Sequence, residues 1–438
     1  MAQQLKAEQA VSSVTTTGSY RWVVCALLFF ATTINYMDRQ ILSLLKPILD
    51  NQLHWTNEEF GLINGAFQGA YAIGALLFGY LVDRLGSKIG YALSITGWSL
   101  AALGHALVSS VGGFMIARVC LGVSEAGNFP SSIKTVALWF PKKERTFATS
   151  LFNSGSNVGP IIAPIIIPWI ALTWGWQMAF IVAGIAGLCW LLFWFPLYDE
   201  PKRQKRLSAD ELAYIESDRD EAHGKSAGKV HWLSLLKHRQ AWSIIVARFT
   251  TDPVWWFFLI WLPDFFKKTR NLDLTHSWFY LVAIYAIITV LSNFGGWLPG
   301  YLMSRGWSVT RARKTSMFIF ALCVVPILFV TTVSTWSAVL LIGLAGSAHQ
   351  AWSASLYSTA SDMFPKRAVA SLIGLGSTAG STAGIFFPIL AGELLDKFQA
   401  GGYTILFIIC AFAYLVGFGL NHLFAPKFER ISAPELTD

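Results

Sequence analysis

The amino-acid sequence predicts an all-α polytopic membrane protein with twelve transmembrane helices in two pseudo-symmetric halves of six helices each. Three observations predict this fold class. The 438-residue chain is 54% hydrophobic and only 13% charged, whereas charged residues make up about a quarter of a soluble protein. Apolar segments long enough to cross a bilayer recur along the chain and fall into two sets. Short sequence matches relate the second set to the first.

The apolar segments define the predicted helices and the domain boundaries. A hydrocarbon core about 30 Å thick requires about 20 apolar residues in a helix. Such segments lie near residues 21–44, 58–82, 89–109, 112–137, 146–170 and 176–196, and again near 241–265, 277–303, 315–334, 336–361, 368–394 and 402–424. The predicted organisation is a tail (1–20), an N-terminal half (21–196), a linker (197–240), a C-terminal half (241–424) and a second tail (425–438).

Positive charges are concentrated on one side of the predicted bundle. Most of the 33 Lys and Arg residues lie in the tails, the linker and the loops on the linker's side. The loops on the opposite side carry only Lys46, Lys267, Lys268, Arg270 and Lys397. The positive-inside rule therefore makes the linker and both termini cytoplasmic, and the excess of positive charge does not indicate nucleic-acid binding. Within the linker, Ser208 and Glu211 form a capping-box pattern that predicts a solvated helix.

An internal repeat relates the two halves. The residues Phe140, Pro141 and Lys142 after the fourth segment recur as Phe364, Pro365 and Lys366 after the tenth, and the same offset relates Pro164 to Pro388 and Glu125 to His349. Two parallel repeats around a central cavity at the middle of the membrane are typical of transporters. The repeat therefore favours a carrier of small solutes.

Several charged residues lie inside predicted transmembrane helices, where a charge costs about 2.5–3.5 kcal/mol. They are Asp38 and Arg39 in the first helix, Arg118 and Glu125 in the fourth, and Arg248 and Asp252 in the seventh. Arginines can hold an anionic solute through paired hydrogen bonds, and a carboxyl group in a cavity can take up a proton. The alternative is that these residues form structural ion pairs. The ion-pair alternative applies most to Arg248 and Asp252, which are one helical turn apart.

Polar residues on several of the predicted helices are candidate ligands for a hydroxylated solute, since each desolvated hydroxyl needs a hydrogen-bonding partner. His349 corresponds to Glu125 in the repeat and is expected to line the cavity, although a lone helical His also serves packing. The other candidates in this set are Tyr36, Gln68, Tyr71, Asn157, Gln350, Ser353 and Ser377.

The loop between the second and third helices has a distinctive pattern. Gly79, Asp83, Arg84, Gly86 and Lys88 resemble the cytoplasmic loop signature of the major facilitator superfamily. Glycines permit a tight turn and close helix packing, while Asp83 can meet a helix N-terminus or a basic partner. We expect this loop to act as a conformational latch that holds the cytoplasmic side closed. The corresponding loop of the C-terminal half, from Gly300 to Lys314, has no Asp at the equivalent position.

Further motifs resemble the anion:cation symporter family within the major facilitators. They are residues 36–39, 118–130 and 139–145, while residues 88–92, 176–180, 248–253 and 348–351 look most like bacterial hexuronate transporters. The resemblance implies proton-coupled import of a sugar acid, here galacturonate or glucuronate. It also implies proton carriers at Asp38 and Glu125, and arginines for substrate or gating at Arg39 and Arg118.

Other functions are less well matched by the sequence. A symporter of another organic anion, such as galactonate or glucarate, remains an alternative, and a proton-coupled drug antiporter is a weaker one because paired arginines suit cations badly. No phosphate-binding loop for ATP and no catalytic constellation occurs, so we expect neither an enzyme nor a cofactor or metal. The expected partners are a small organic anion, protons and lipid, with the chain a monomer in a bacterial inner membrane.

Overall fold

The computed structural model describes residues 18–217, 232–272, 274–292 and 294–431. Within these ranges the regular structure is helical, and no residue is in a β-strand. Most of the predicted N-terminal tail, the middle of the linker and the last residues of the chain lie outside the described residues. Helices cover each of the apolar segments that the sequence predicts.

The N-terminal half contains seven helices in the chain order α1 to α7. Their bounds are Tyr20–Leu53 (α1), Asn57–His105 (α2), Val111–Glu125 (α3), Asn128–Trp139 (α4), Lys142–Asn153 (α5), Gly155–Trp174 (α6) and Trp176–Leu197 (α7). The long helix α2 contains two predicted segments, and its backbone breaks at Gly86, which has a φ of 81°. Only glycine adopts this conformation without strain.

The linker and the C-terminal half contain the remaining helices. The linker contributes Ala209–Glu216 (α8) and Trp232–Leu236 (α9). The C-terminal half contains Arg239–Arg270 (α10), Leu274–Leu291 (α11), Phe294–Ser304 (α12), Val309–Val324 (α13), Thr335–Met363 (α14), Lys366–Phe398 (α15) and Gly401–Phe424 (α16). Short 3₁₀ turns cover Pro201–Arg203 and Val325–Phe329.

Seven helical segments of the described ranges are long and apolar enough to cross a membrane. They are Asn57–His105, Phe147–Trp174, Trp176–Leu197, Arg239–Arg270, Val309–Phe329, Ser371–Phe398 and Gly401–Phe424. Helices α1 and α14 are also long enough, but polar residues interrupt their apolar runs. The fold is therefore that of an all-helical polytopic membrane protein.

The two halves contact each other towards one end of the bundle. Helix α2 packs against α15, α1 against α10, and α6 against α11. Gly65 permits close approach of α2 to α15, since a Cβ there would lie 2.7 Å from the backbone oxygen of Ile385. At the opposite end, a Cβ at Gly79 or Gly374 would meet no heavy atom within 4 Å. Among the described residues, the hydrogen bonds and ion pairs that join the halves lie towards the end that carries Lys46, Asp264 and Asp396.

Buried charges hold the halves together at the closed end. Lys46 of α1 lies 3.2 Å from Asp264 of α10, and both side chains are almost fully buried. Asp264 also pairs with Lys268 at 3.0 Å. Asp396 of α15 accepts hydrogen bonds from the backbone N–H groups of Asn57 and Glu58, and so caps the N-terminus of α2 across the interface. The expectation that Lys46 lies in a loop is wrong, because α1 continues past it to Leu53.

The linker helix α8 packs on the N-terminal half. Its N-cap Ser208 accepts a hydrogen bond from the N–H of Glu211, as the capping-box pattern predicts. The Glu211 carboxylate instead accepts from the N–H groups of Tyr20 and Arg21, and pairs with the Arg21 guanidinium at 3.0 Å. Glu211 is buried, so the prediction of a solvated linker helix is wrong for this face. The linker stabilises the first turn of α1.

We expect Glu211→Gln to lower the stability of the protein by about 1–3 kcal/mol, the cost of weakening charged hydrogen bonds at a buried site. The measurement is the thermal unfolding temperature in detergent. Asp210→Asn is the matched control, because Asp210 is in the same helical turn but is exposed. Equal unfolding temperatures for the two variants would contradict this role of the linker.

Candidate functional site

Arg39 and Glu125 form a buried ion pair between α1 and α3. The Nε of Arg39 donates to Oε2 of Glu125 at 2.6 Å, and both side chains are buried. The Arg39 guanidinium also lies 4.7 Å from the ring centroid of Tyr36 and 4.6 Å from that of Tyr71. Three helices of the N-terminal half therefore position Arg39, and the rings of Tyr36 and Tyr71 make cation–π contacts with its guanidinium group.

Arg118 lies in the same region with a different set of contacts. It is 1% exposed, and its Nη2 reaches only the backbone oxygen of Arg39, at 3.5 Å. Its Nε has no hydrogen-bonding partner, and among the described residues it forms no ion pair with a carboxylate. The ring of Phe67 lies 5.4 Å from its guanidinium carbon. Arg118 is therefore a buried cation that the described part of the protein does not neutralise directly.

Asp38 is the second buried acid of this site. It is 2% exposed, and neither of its carboxyl oxygens has a hydrogen-bonding partner in the part of the chain that the structure describes. The amide group of Asn35, one turn earlier in α1, is also buried without a partner. The structure thus places both predicted proton carriers beside both predicted arginines, but only Glu125 is paired.

Among the remaining candidates of the N-terminal half, Gln68 lies at the boundary with the C-terminal half. Gln68 is buried, and its carboxamide carbon lies 3.8 Å from the position of a Cβ on Gly384 of α15. Tyr71 is half-buried beside Arg39, and Asn157 of α6 is half-buried. Gln40 donates to the Tyr285 hydroxyl at 3.1 Å across this boundary; it was not among the sequence candidates.

His349 packs inside the C-terminal half. Its ring stacks on Trp255 with a centroid distance of 5.2 Å, and its Nδ1 is hydrogen-bonded to the Tyr414 hydroxyl at 2.5 Å. The side chain is buried between α10 and α16 and does not point at lipid. Gln350, Ser353 and Ser377 are half-buried. A ligand role for these four residues stays a prediction.

Arg248 and Asp252 form the ion pair that their spacing allows. Nε and Nη2 of Arg248 both donate to Oδ2 of Asp252, at 3.0 and 2.7 Å. The Nη1 group of Arg248 donates to the hydroxyl of Tyr357 in α14. Sequence reasoning identified the pair but missed Tyr357, whose helix position alone gave no signal.

Within the described ranges, the side chains of the signature loop contact the N-terminal half and the start of the linker. Asp83 pairs with Lys134 at 3.2 Å, and Arg84 donates to the Tyr80 hydroxyl. Lys88 pairs with Asp199 at 3.0 Å. Partial burial would raise the pKa of Asp199, but the hydrogen bond and charge of Lys88 outweigh it and keep that pKa below its ordinary value. The latch role of Gly79, Asp83, Arg84, Gly86 and Lys88 stays a prediction.

Comparison with known proteins agrees with this architecture. Residues 28–388 match the Major Facilitator Superfamily. The chain belongs to this superfamily. It is accordingly a membrane transport protein rather than an enzyme. This major facilitator is 32% identical to the hexuronate transporter of Escherichia coli strain K12 over 405 residues, which cover 91% of this chain and 92% of that protein.

A second relative and a solved structure extend the comparison. The major facilitator described here is 35% identical to the galacturonate transporter of Dickeya chrysanthemi over 284 residues, 64% of this chain and 81% of that protein. The crystal structure of a bacterial homologue of the human lysosomal transporter Spinster, inward-facing and occupied, superposes with a TM-score of 0.74 at 17% identity. The match covers 95% of this chain and 100% of that chain, and it establishes the fold alone.

Proposed function

We propose that this major facilitator is a proton-coupled symporter that imports a hexuronate, galacturonate or glucuronate, by alternating access. The observation that carries the proposal is the buried group of Arg39, Arg118, Glu125 and Asp38. Arg39 is held by Glu125, whereas Arg118 has no carboxylate partner among the described residues. A solute carboxylate that bound Arg118 would supply the missing counter-charge.

The protonation of Asp38 follows from its surroundings. An ionised carboxylate that is buried without a hydrogen bond is strongly disfavoured, so such a group takes up a proton instead. Neither oxygen of Asp38 has a partner, and we infer that Asp38 is neutral in this conformation. The site then carries two positive charges and one negative charge, a net charge that one carboxylate balances. This net positive charge favours an anionic solute.

Coupling arises because charge in the closed cavity is costly. When the solute carboxylate joins Arg118 and Arg39, Glu125 loses part of its stabilisation by Arg39, and protonation of Glu125 becomes favourable. With solute and proton both bound, the solute carboxylate has replaced the Glu125 carboxylate beside the arginines, and the cavity holds no ionised carboxylate without a cation. Its net charge is then that of the empty site, and the halves can rock past the occluded state. Departure of the solute returns Arg39 to Glu125, which releases the proton on the same side.

The direction of transport follows from the predicted topology. We propose twelve spans, with both termini and the linker in the cytoplasm and the protein as a monomer in a bacterial inner membrane. The signature loop then lies on the cytoplasmic side, and the network of Lys46, Asp264 and Asp396 closes the outer side. The present conformation is therefore open to the cytoplasm, with the signature-loop latch disengaged.

Two alternatives have weaker support. A symporter of galactonate or glucarate would use the same arginines, and relatives whose names give hexuronate or galacturonate as the substrate favour the uronates. A proton-coupled drug antiporter would bind lipophilic cations, which two buried arginines repel.

A thermal-shift panel on the purified protein tests the proposal. We expect galacturonate or glucuronate to raise the unfolding temperature, because a ligand at 100 times its Kd stabilises a protein by about 2.7 kcal/mol. Galactose, which has the same ring without a carboxylate, is the matched control and should have no effect. Stabilisation by tetraphenylphosphonium but not by uronates would favour the antiporter. Stabilisation by galactonate or glucarate alone would change the assigned solute.

A further inference from the structure

The ion pair of Arg248 and Asp252 lies on the C-terminal wall of the cleft. Its partner Tyr357 is 38% exposed, and the Tyr357 ring lies 4.9 Å from the Arg248 guanidinium carbon. One turn of α15 separates Gly380, which packs against Asp252, from Gly384, where a Cβ would lie 3.8 Å from the carboxamide carbon of Gln68 in the N-terminal half. The Arg248 group therefore faces the proposed carboxylate site from the opposite half.

Helix α15 is shaped to accommodate this pair. A Cβ at Gly380 would overlap the Asp252 carboxylate and would lie only 2.8 Å from its Cγ. A Cβ at Gly376, one turn earlier, would lie 3.0 Å from Cδ of Arg248. Any other residue at Gly380 would force the Asp252 carboxylate to move, and one at Gly376 would be in tight contact with the Arg248 side chain.

The pair differs from its counterpart in the N-terminal half. Arg39 and Glu125 lie on different helices, so solute binding or helix movement can separate them. Arg248 and Asp252 lie one turn apart on α10, and their contact does not depend on how the helices are arranged. The positive charge of Arg248 is therefore neutralised throughout a transport cycle.

We propose that Asp252 is a specificity residue that restricts the site to sugar acids with one carboxylate. This inference rests on the proposed function. A sugar dicarboxylate bound at Arg118 would bring its second carboxylate towards the opposite wall, where Asp252 already occupies the Arg248 guanidinium. The second carboxylate would then lose its hydration without gaining a cation, and would be repelled by Asp252. Such a repulsive element discriminates between otherwise similar ligands.

The neutral end of a uronate has no such conflict at this wall. Its hydroxyl groups need hydrogen-bonding partners once they are desolvated, and the exposed edge of Tyr357 provides a hydroxyl there. The same wall that rejects a second carboxylate therefore accepts the uncharged end of a monocarboxylate.

Asp252→Asn tests the inference, because it leaves Arg248 as an uncompensated cation of nearly unchanged shape. The measurement is the ratio of Kd values for galactarate, which has two carboxylates, and galacturonate, which has one, on purified protein. We expect this ratio to fall at least tenfold in the variant. A gain of dicarboxylate binding is a result that damage to the fold does not produce.

Asp362→Asn is the matched control. Asp362 forms an ion pair with Arg313 between α13 and α14 at 3.1 Å, so this variant also unpairs an arginine of the C-terminal half. Its Kd ratio should match that of the parent protein. If Asp252→Asn does not fold, Tyr357→Lys adds a cation at the exposed edge of the same wall and should also lower the ratio. The Kd for galactarate itself should fall, which loss of the Tyr357 hydroxyl from the uronate site does not produce.

The outcomes separate this inference from the proposed function. If the parent protein binds no uronate, the proposed function fails and the inference fails with it. If the parent binds galacturonate but also binds galactarate equally well, only the inference is overturned. An unchanged Kd ratio in the folded Asp252→Asn or Tyr357→Lys variant also overturns it, and leaves the pair with a structural role.

Discussion

Glu125→Gln is expected to abolish proton-driven accumulation of the solute while preserving exchange of solute across the membrane. The substitution keeps the size of the side chain and an oxygen that can accept from Arg39, but it removes the ionisable group. Coupling requires a carboxyl that alternates between the ionised and protonated forms as Arg39 pairs with it and leaves it. An amide is neutral in every state, so the halves can still rock with solute bound, whatever the proton gradient.

The measurement compares two assays in proteoliposomes. Uptake against a concentration gradient, driven by an imposed pH difference, should be lost, whereas counterflow of labelled solute should remain. Glu144→Gln is the matched control, because Glu144 is also paired with an arginine, Arg21, at 2.9 Å but lies away from the cleft. The Glu144→Gln variant should accumulate solute normally. Full accumulation by Glu125→Gln would contradict the assignment and would leave Asp38 as the coupling group.

The sequence predicted the positions of most helices closely. For α7 the predicted range 176–196 compares with Trp176–Leu197, and for α16 the range 402–424 compares with Gly401–Phe424. The prediction failed where charges inside a helix are neutralised by distant residues. Helix α1 continues to Leu53 because Lys46 is paired with Asp50 on its own helix and with Asp264 on α10. Hydropathy treats Lys46 as a loop residue, since it cannot detect a partner on another helix.

The candidate site was predictable residue by residue, but not as a set of contacts. The cost of burying charge identifies Asp38, Arg39, Arg118 and Glu125 from the sequence. Successive residues of a helix point about 100° apart, since a turn contains 3.6 residues. Asp38 and Arg39 therefore face different neighbours, and only the fold determines that Arg39 meets Glu125 while Asp38 meets no partner.

The linker illustrates the same limit at a helix terminus. The spacing of Ser208 and Glu211 predicts a local capping box, and the Ser208 half of it forms. The carboxylate of Glu211 caps α1 instead, because the first N–H groups of α1 and the charge of Arg21 offer a stronger partner. A pattern of nearby residues cannot show that a distant helix competes for the same carboxylate.

Arg118→Ala is expected to abolish detectable binding of the solute. Removing one partner of a buried, hydrogen-bonded charge pair costs about 2–5 kcal/mol, which corresponds to a loss of affinity of about 30-fold or more. The protein should remain folded, because Arg118 has few hydrogen bonds to lose and its removal takes an incompletely paired cation out of the interior. The measurements are the Kd for galacturonate by calorimetry and the unfolding temperature without ligand.

Arg21→Ala provides the matched comparison, since Arg21 is equally buried in the N-terminal half but is fully engaged by Glu144 and Glu211. That variant should lose stability and keep its affinity, whereas Arg118→Ala should lose affinity and keep its stability. Arg118→Lys should bind with intermediate affinity, because an ammonium group keeps the charge but cannot donate two parallel hydrogen bonds to a carboxylate. Unchanged affinity in Arg118→Ala would show that the carboxylate is bound elsewhere, with Arg39 as the remaining buried cation of this group.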